Sequence, residues 1–87
     1  MSDYERRMRA LFPRDVQHFS ITIPLQVGEK FLAYDRDQKL WAYTAQPLWS
    51  EASQKWIPQD ADAPRHIFTW NGAQVNAKDS IGYYPGD

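Results

Sequence analysis

Asp35 and Asp37 stand one residue apart, and carboxylates so spaced are the kind of oxygen ligand a divalent cation takes. A calcium loop beginning at Asp35 needs a third oxygen where Lys39 stands and a glycine where Leu40 stands, so that spacing fails. Aspartate equally suits a solvated turn, and a charged hairpin tip is the better reading. His18 and His66 belong to no H-x-x-x-H or H-E-x-x-H arrangement. Each flanks the start of an expected strand, where a structural histidine outweighs a ligand or general base. Asp60 and Asp62 pair two carboxylates in the most loop-like stretch, whereas catalytic carboxyls want a rigid, partly desolvated setting. No Gly-x-Ser-x-Gly elbow surrounds a serine, and the four glycines make no phosphate-cradling loop. Without cysteine there is no thiolate nucleophile, no disulfide and no Cys-ligated zinc. No set of nucleophile, base and orienting group emerges. The expectation is a protein that is not an enzyme, with no catalytic residue, metal or cofactor.

What remains is aromatic. Four Trp, five Tyr and four Phe make up 15% of 87 residues. Each Trp or Tyr encloses about 150–250 Å² when buried, and its polar atom still needs a partner. A chain this short buries only about 60–65% of the surface it exposes unfolded. Trp41, Tyr43, Trp49, Trp56 and Trp70, with Tyr83 and Tyr84, therefore exceed what the core can enclose. The plain reading places two or three of the Trp in the core; the rest would form a surface platform. Trp, Tyr and Arg are enriched where binding energy concentrates. Trp41, Tyr43 and Trp49 are the expected partner-binding anchors, joined by Arg6 and Arg9 from a cluster that also holds Arg7 and Arg14. A solvated helix face is the competing account of those arginines.

Charge narrows the partners. Ten Lys+Arg against eleven Asp+Glu leave a formal net charge of -1, so the attraction to phosphate behind non-specific nucleic-acid binding is missing. Even residues 1–40 hold only seven basic against six acidic residues. Nucleic acid is not expected as a direct ligand, nor a membrane through a polybasic anchor. No apolar run is long enough for a signal peptide or a transmembrane helix, so a soluble, cytoplasmic chain is expected. With 43% hydrophobic and 24% charged residues it should fold, as one domain over residues 1–87.

The elements that must position these groups begin with a helix. Ser2 and Glu5 fit a capping box, Tyr4, Met8, Leu11 and Phe12 form an apolar stripe, and Pro13 ends it. From Phe19 the period becomes two: Phe19, Ile21, Ile23 and Leu25 alternate with polar residues and Pro24, as on an edge strand. Val27-Gly28-Glu29 reads as a turn. Residues 30–34 and 39–44 suit a hairpin about Asp35-Arg36-Asp37-Gln38. One face would carry Phe31 and Ala33 with Leu40 and Ala42; the other, Leu32 and Tyr34 with Trp41 and Tyr43. Gln46 to Trp49 should break the ladder, residues 50–54 turn, and 55–57 form a short apolar stretch. His66 to Trp70 reads as a strand, Asn71-Gly72 as a type I′ turn, and Ala73 to Ala77 as its return strand. Ile81 to Tyr84 suits a last short strand. The expected class is α+β, a short N-terminal helix packed on a small twisted antiparallel sheet of four to six strands.

Residues Phe31 to Tyr43, followed by Pro47-x-Trp49 and Trp56, resemble small phage-encoded accessory proteins. In those an apolar strand enters an Asp-rich turn, then an apolar-Trp strand, a Pro, and another Trp after a polar gap. The likeness covers about a third of the chain, and Gln38 stands where Gly or Asn is commoner at the tip. It implies an inhibitor that occludes a host enzyme or bacterial defence complex, or a protein that sequesters a signalling nucleotide.

Two functions follow. The first is a non-catalytic protein-binding module gripping a host or defence protein through the aromatic surface, in the host-cell cytoplasm if phage-encoded. The second is a small-ligand binder, for instance of nucleotides, built as a homo-oligomer because 87 residues enclose little volume. A self-assembling structural subunit is a third.

Overall fold

Short strands, their side chains alternating between an inward and an outward face, build almost everything here. The computed structural model describes residues 10–59 and 63–86. The strands are β1 (Arg14–His18), β2 (Ile21–Leu25), β3 (Phe31–Tyr34), β4 (Lys39–Tyr43), β5 (Leu48–Ser50), β6 (Lys55–Ile57), β7 (Arg65–Thr69) and β8 (Gly82–Tyr83), with a 3₁₀ turn at Ala77–Asp79. They form two hairpins, β1–β2 and β5–β6, and a central sheet in the order β7-β4-β3-β8. Every pairing is antiparallel.

The class therefore differs from expectation. Of the described residues 43% lie in strands and 7% are helical, none in a helix of seven residues or more, and there are three sheets rather than one. This is a mostly β protein, not α+β. The capping box and half of the expected stripe (Tyr4 and Met8), with Arg6, Arg7 and Arg9, fall at residues 1–9, outside the described residues. Ala10 and Leu11 are helical, but Phe12 packs under the Arg65 guanidinium, 5.2 Å from its ring centre, and β1 starts at Arg14. No amphipathic helix covers the sheet among the described residues. The β1–β2 hairpin takes that place: its Ile23 and Leu25 join Leu32, Tyr34, Leu40 and Ala42 in the core. Enclosing such aliphatic side chains contributes about 1.5–3 kcal/mol each.

The faces of the central hairpin also differ from expectation. Asp35 N–H donates to the Lys39 carbonyl at 3.0 Å, so three residues, not four, close the turn. Tyr34 then faces Leu40, and Leu32 faces Ala42. One residue of register turns a whole strand over. The inner face is Leu32, Tyr34, Leu40 and Ala42; the outer one carries Phe31, Ala33, Trp41 and Tyr43. At β7 a bulge sets Leu40 against Phe68 but Trp41 against His66, leaving Ile67 as the extra residue. Ile67 and Phe68 both reach the core, while His66 stays outside beside Trp41.

Asn71-Gly72 closes no hairpin, and Ala73 to Ala77 is no strand. Gly72 is absent from the positive-φ glycines, as a type I′ turn would not allow. Its hydrogen instead makes room for Trp70: a Cβ there would lie 2.4 Å from the indole ring.

Three polar links close the fold. Arg14 donates to the carbonyls of Glu29 (2.8 Å), Tyr84 (2.6 Å) and Pro85 (3.0 Å), tying β1 to residues near the C-terminus. Glu29, 4% exposed, accepts both arms of Arg65 at 2.9 and 3.0 Å. Ser80 Oγ accepts the Tyr34 N–H at 2.8 Å, completing the edge of β3 where β8 stops.

Candidate binding cleft

Aspartate at the start of the β3–β4 turn sets the site. Asp35 Oδ1 accepts the backbone N–H of Asp37 at 2.9 Å and of Lys39 at 3.0 Å, an Asx turn. Its Oδ2 accepts the Trp41 indole N–H at 3.0 Å. The carboxylate that sequence made a metal candidate is thus occupied as a turn former and a tryptophan clamp. Among the described residues no group of three or more His, Cys, Asp or Glu could hold a metal ion.

Trp41 is half-buried, with its ring 5.0 Å from that of His66. Across from it, β6 brings Trp56, whose N–H donates to the Ala77 carbonyl at 3.1 Å. Trp41, Tyr43 and Trp56 line a cleft of about 300 Å³ with Pro58 and Pro64 at its sides. Around it stand the exposed side chains of Asp37, Lys39 and Lys55, which form no hydrogen bond or ion pair among the described residues. Tyr43 is only 6% exposed. Burial, then the nearby Asp35 charge, pushes its hydroxyl up to about 12, so it stays neutral.

The expected anchors therefore divide. Trp41 lies in the cleft with its ring oriented. Tyr43 lines it from a buried position. Trp49 faces another cleft, although its ring meets that of Trp56 edge-on at 5.3 Å. Arg6 and Arg9 lie outside the described residues, as do Asp60 and Asp62. Arg14 is committed to main-chain carbonyls.

His18 is likewise structural: 2% exposed, it sits with Nδ1 2.6 Å from the Tyr84 hydroxyl. Trp56, Pro58, Pro64 and Lys55 were not among the expected anchors. The symmetry of Trp49-Ser50 and Lys55-Trp56 about the polar residues 51–54 was the signal, since it sets Trp49 opposite Trp56. Among the described residues no helix is long and apolar enough to cross a membrane. Compared with known proteins, the chain matches no family model, no curated protein and no solved structure.

Proposed function

We propose that the chain is a non-catalytic protein-binding module that takes an extended, apolar segment of a partner into the cleft on Trp41. The observation that carries this reading is the clamped indole. Trp41 is held by Asp35 and flanked by Trp56, Pro58 and Pro64, with uncommitted charges of both signs around the mouth. Binding hot spots are oriented aromatic side chains in a pocket with a polar rim. An anchor fixed beforehand loses little freedom on association. Aromatic-lined grooves suit extended segments, whose conformational cost is already small. Occlusion of a host enzyme or bacterial defence complex in the cytoplasm is the use that the resemblance over residues 31–56 implies.

Selection of random peptides on the immobilised chain tests this reading. The selected peptides should bind Trp41→Ala at least about tenfold more weakly, or 1.4 kcal/mol, while its circular dichroism is unchanged. Selection yielding no binder, or binders indifferent to this substitution, overturns it.

A further inference from the structure

A second cleft lies apart from the one on Trp41. It encloses about 430 Å³ between the β5–β6 turn and residues 74–78, within the roughly 300–1,000 Å³ of small-molecule sites. We propose that it binds a purine nucleoside monophosphate, with Trp49 against the base and Arg36 on the phosphate. The inference does not rest on the Trp41 cleft.

The lining specifies the ligand by what it leaves unpaired. Arg36 stands exposed at the β3–β4 tip, and its guanidinium makes no hydrogen bond or ion pair among the described residues. A guanidinium fork pairs phosphate oxygens two at a time. The second cation, Lys78, is already paired with Glu51. One free positive charge suits one phosphate rather than a triphosphate.

The carboxamides decide the other end. Gln54 spends both NH₂ hydrogens, on the Glu51 carbonyl at 2.8 Å and its carboxylate at 3.3 Å, whereas Asn76 spends one of its two on Asp79 at 2.9 Å. Each keeps its oxygen as an acceptor. Gln74 makes no hydrogen bond among the described residues and offers both edges. Acceptor oxygens beside the free amide N–H groups of Gln74 and Asn76 match a ring bearing an exocyclic amine, as adenine, guanine and cytosine do, and of these the bicyclic purines cover more of the Trp49 ring. Trp49 and Val75 supply the apolar wall, the indole offering a face on which a base stacks.

Titration of the whole chain with AMP, GMP, adenosine and inorganic phosphate, read by calorimetry and tryptophan fluorescence, tests the proposal. AMP or GMP should saturate with a Kd below about 1 mM, and adenosine and phosphate should each bind more weakly. Arg36→Ala should weaken the nucleotide about tenfold and leave adenosine unchanged. Gln74→Ala should weaken both. These side chains are exposed, so unaltered thermal midpoints are expected, and Trp49→Phe should retain part of the affinity. Trp41→Ala should bind the nucleotide like the parent chain, which separates this site from the peptide cleft. Absence of saturation by either nucleotide, full affinity in Arg36→Ala, or phosphate alone binding as well as AMP overturns the proposal.

Discussion

Gln38 grips Trp70 in both directions: the Trp70 N–H donates to the Gln38 carbonyl at 2.8 Å, and Gln38 Nε2 donates to the Trp70 carbonyl at 2.9 Å. Its Oε1 also accepts the Val75 N–H at 3.1 Å. Gln38 does this from left-handed backbone, φ 63, where glycine would be unstrained. The side chain thus explains why the tip is not glycine. Relief of strain is worth about 1 kcal/mol, and each lost hydrogen bond about 1 kcal/mol. Gln38→Ala should therefore cost about 2 kcal/mol and Gln38→Gly about half that, by urea denaturation. Gln38→Gly more stable than the parent by about 1 kcal/mol, the full relief of strain, would show that the clamp contributes nothing.

The β1–β2 turn holds a second strained pair. Phe19 (φ 51) and Ser20 (φ 64) occupy the two central positions between His18 and Ile21. Such turns favour Asn or Gly. Ser20 is exposed, so Ser20→Gly should raise stability by about 0.5–1 kcal/mol. Phe19→Gly should lower it instead, because the Phe19 ring stacks on His18 at 4.7 Å and Tyr34 at 5.6 Å. Opposite signs from the same substitution at adjacent residues are the check.

Where the pattern was carried by apolar side chains, the sequence was readable. β2 follows from alternation, β3, β4 and β7 follow from short apolar runs beside turn residues, and Trp41 follows from the aromatic excess. β1 was hidden because two of its three inward positions are Arg14 and His18, which read as polar breaks until their partners are known. The helical reading of residues 2–12 extended over the entry to that strand. The faces of β3 and β4 depended on whether the turn held three or four residues, which the Asx bond of Asp35 decides. The cleft needed Trp56 from a separate hairpin beside Trp41. No local spacing reports that proximity.

Glu29 and Arg65 form the most enclosed ion pair among the described residues, with side chains 6% and 26% exposed. Arg65 also donates to the Pro24 carbonyl at 2.9 Å, joining β2 to β7. Removing one partner strands the other charge. Glu29→Ala should therefore cost about 3 kcal/mol. The double substitution with Arg65→Ala should cost clearly less than the two singles summed, because neither charge is then left alone. Strict additivity in this cycle would mean that the pair is not coupled.

Acid and alkali should each unfold the protein through identifiable groups. Burial lowers the His18 pKa below its ordinary 6.5, partly offset by the Ser80 backbone. Below pH 6.5 the unfolded chain binds the proton that folded His18 resists, so stability present above 6.5 falls as the pH drops through the lowered value. His18→Asn, though less stable throughout, should lose that part of the slope. Tyr43 works in the other direction. It is raised from 10.0 to about 12, and burial also raises Tyr34 and Tyr84. Its contribution is complete below pH 10 and is lost as pH rises through about 12, because the unfolded phenol ionises first. Tyr43→Phe should flatten the alkaline limb in urea midpoints taken across the range, while phenolate absorbance of the parent should rise together with unfolding. Ionisation of Tyr43 near pH 10 in the folded state would contradict its enclosure beneath the cleft.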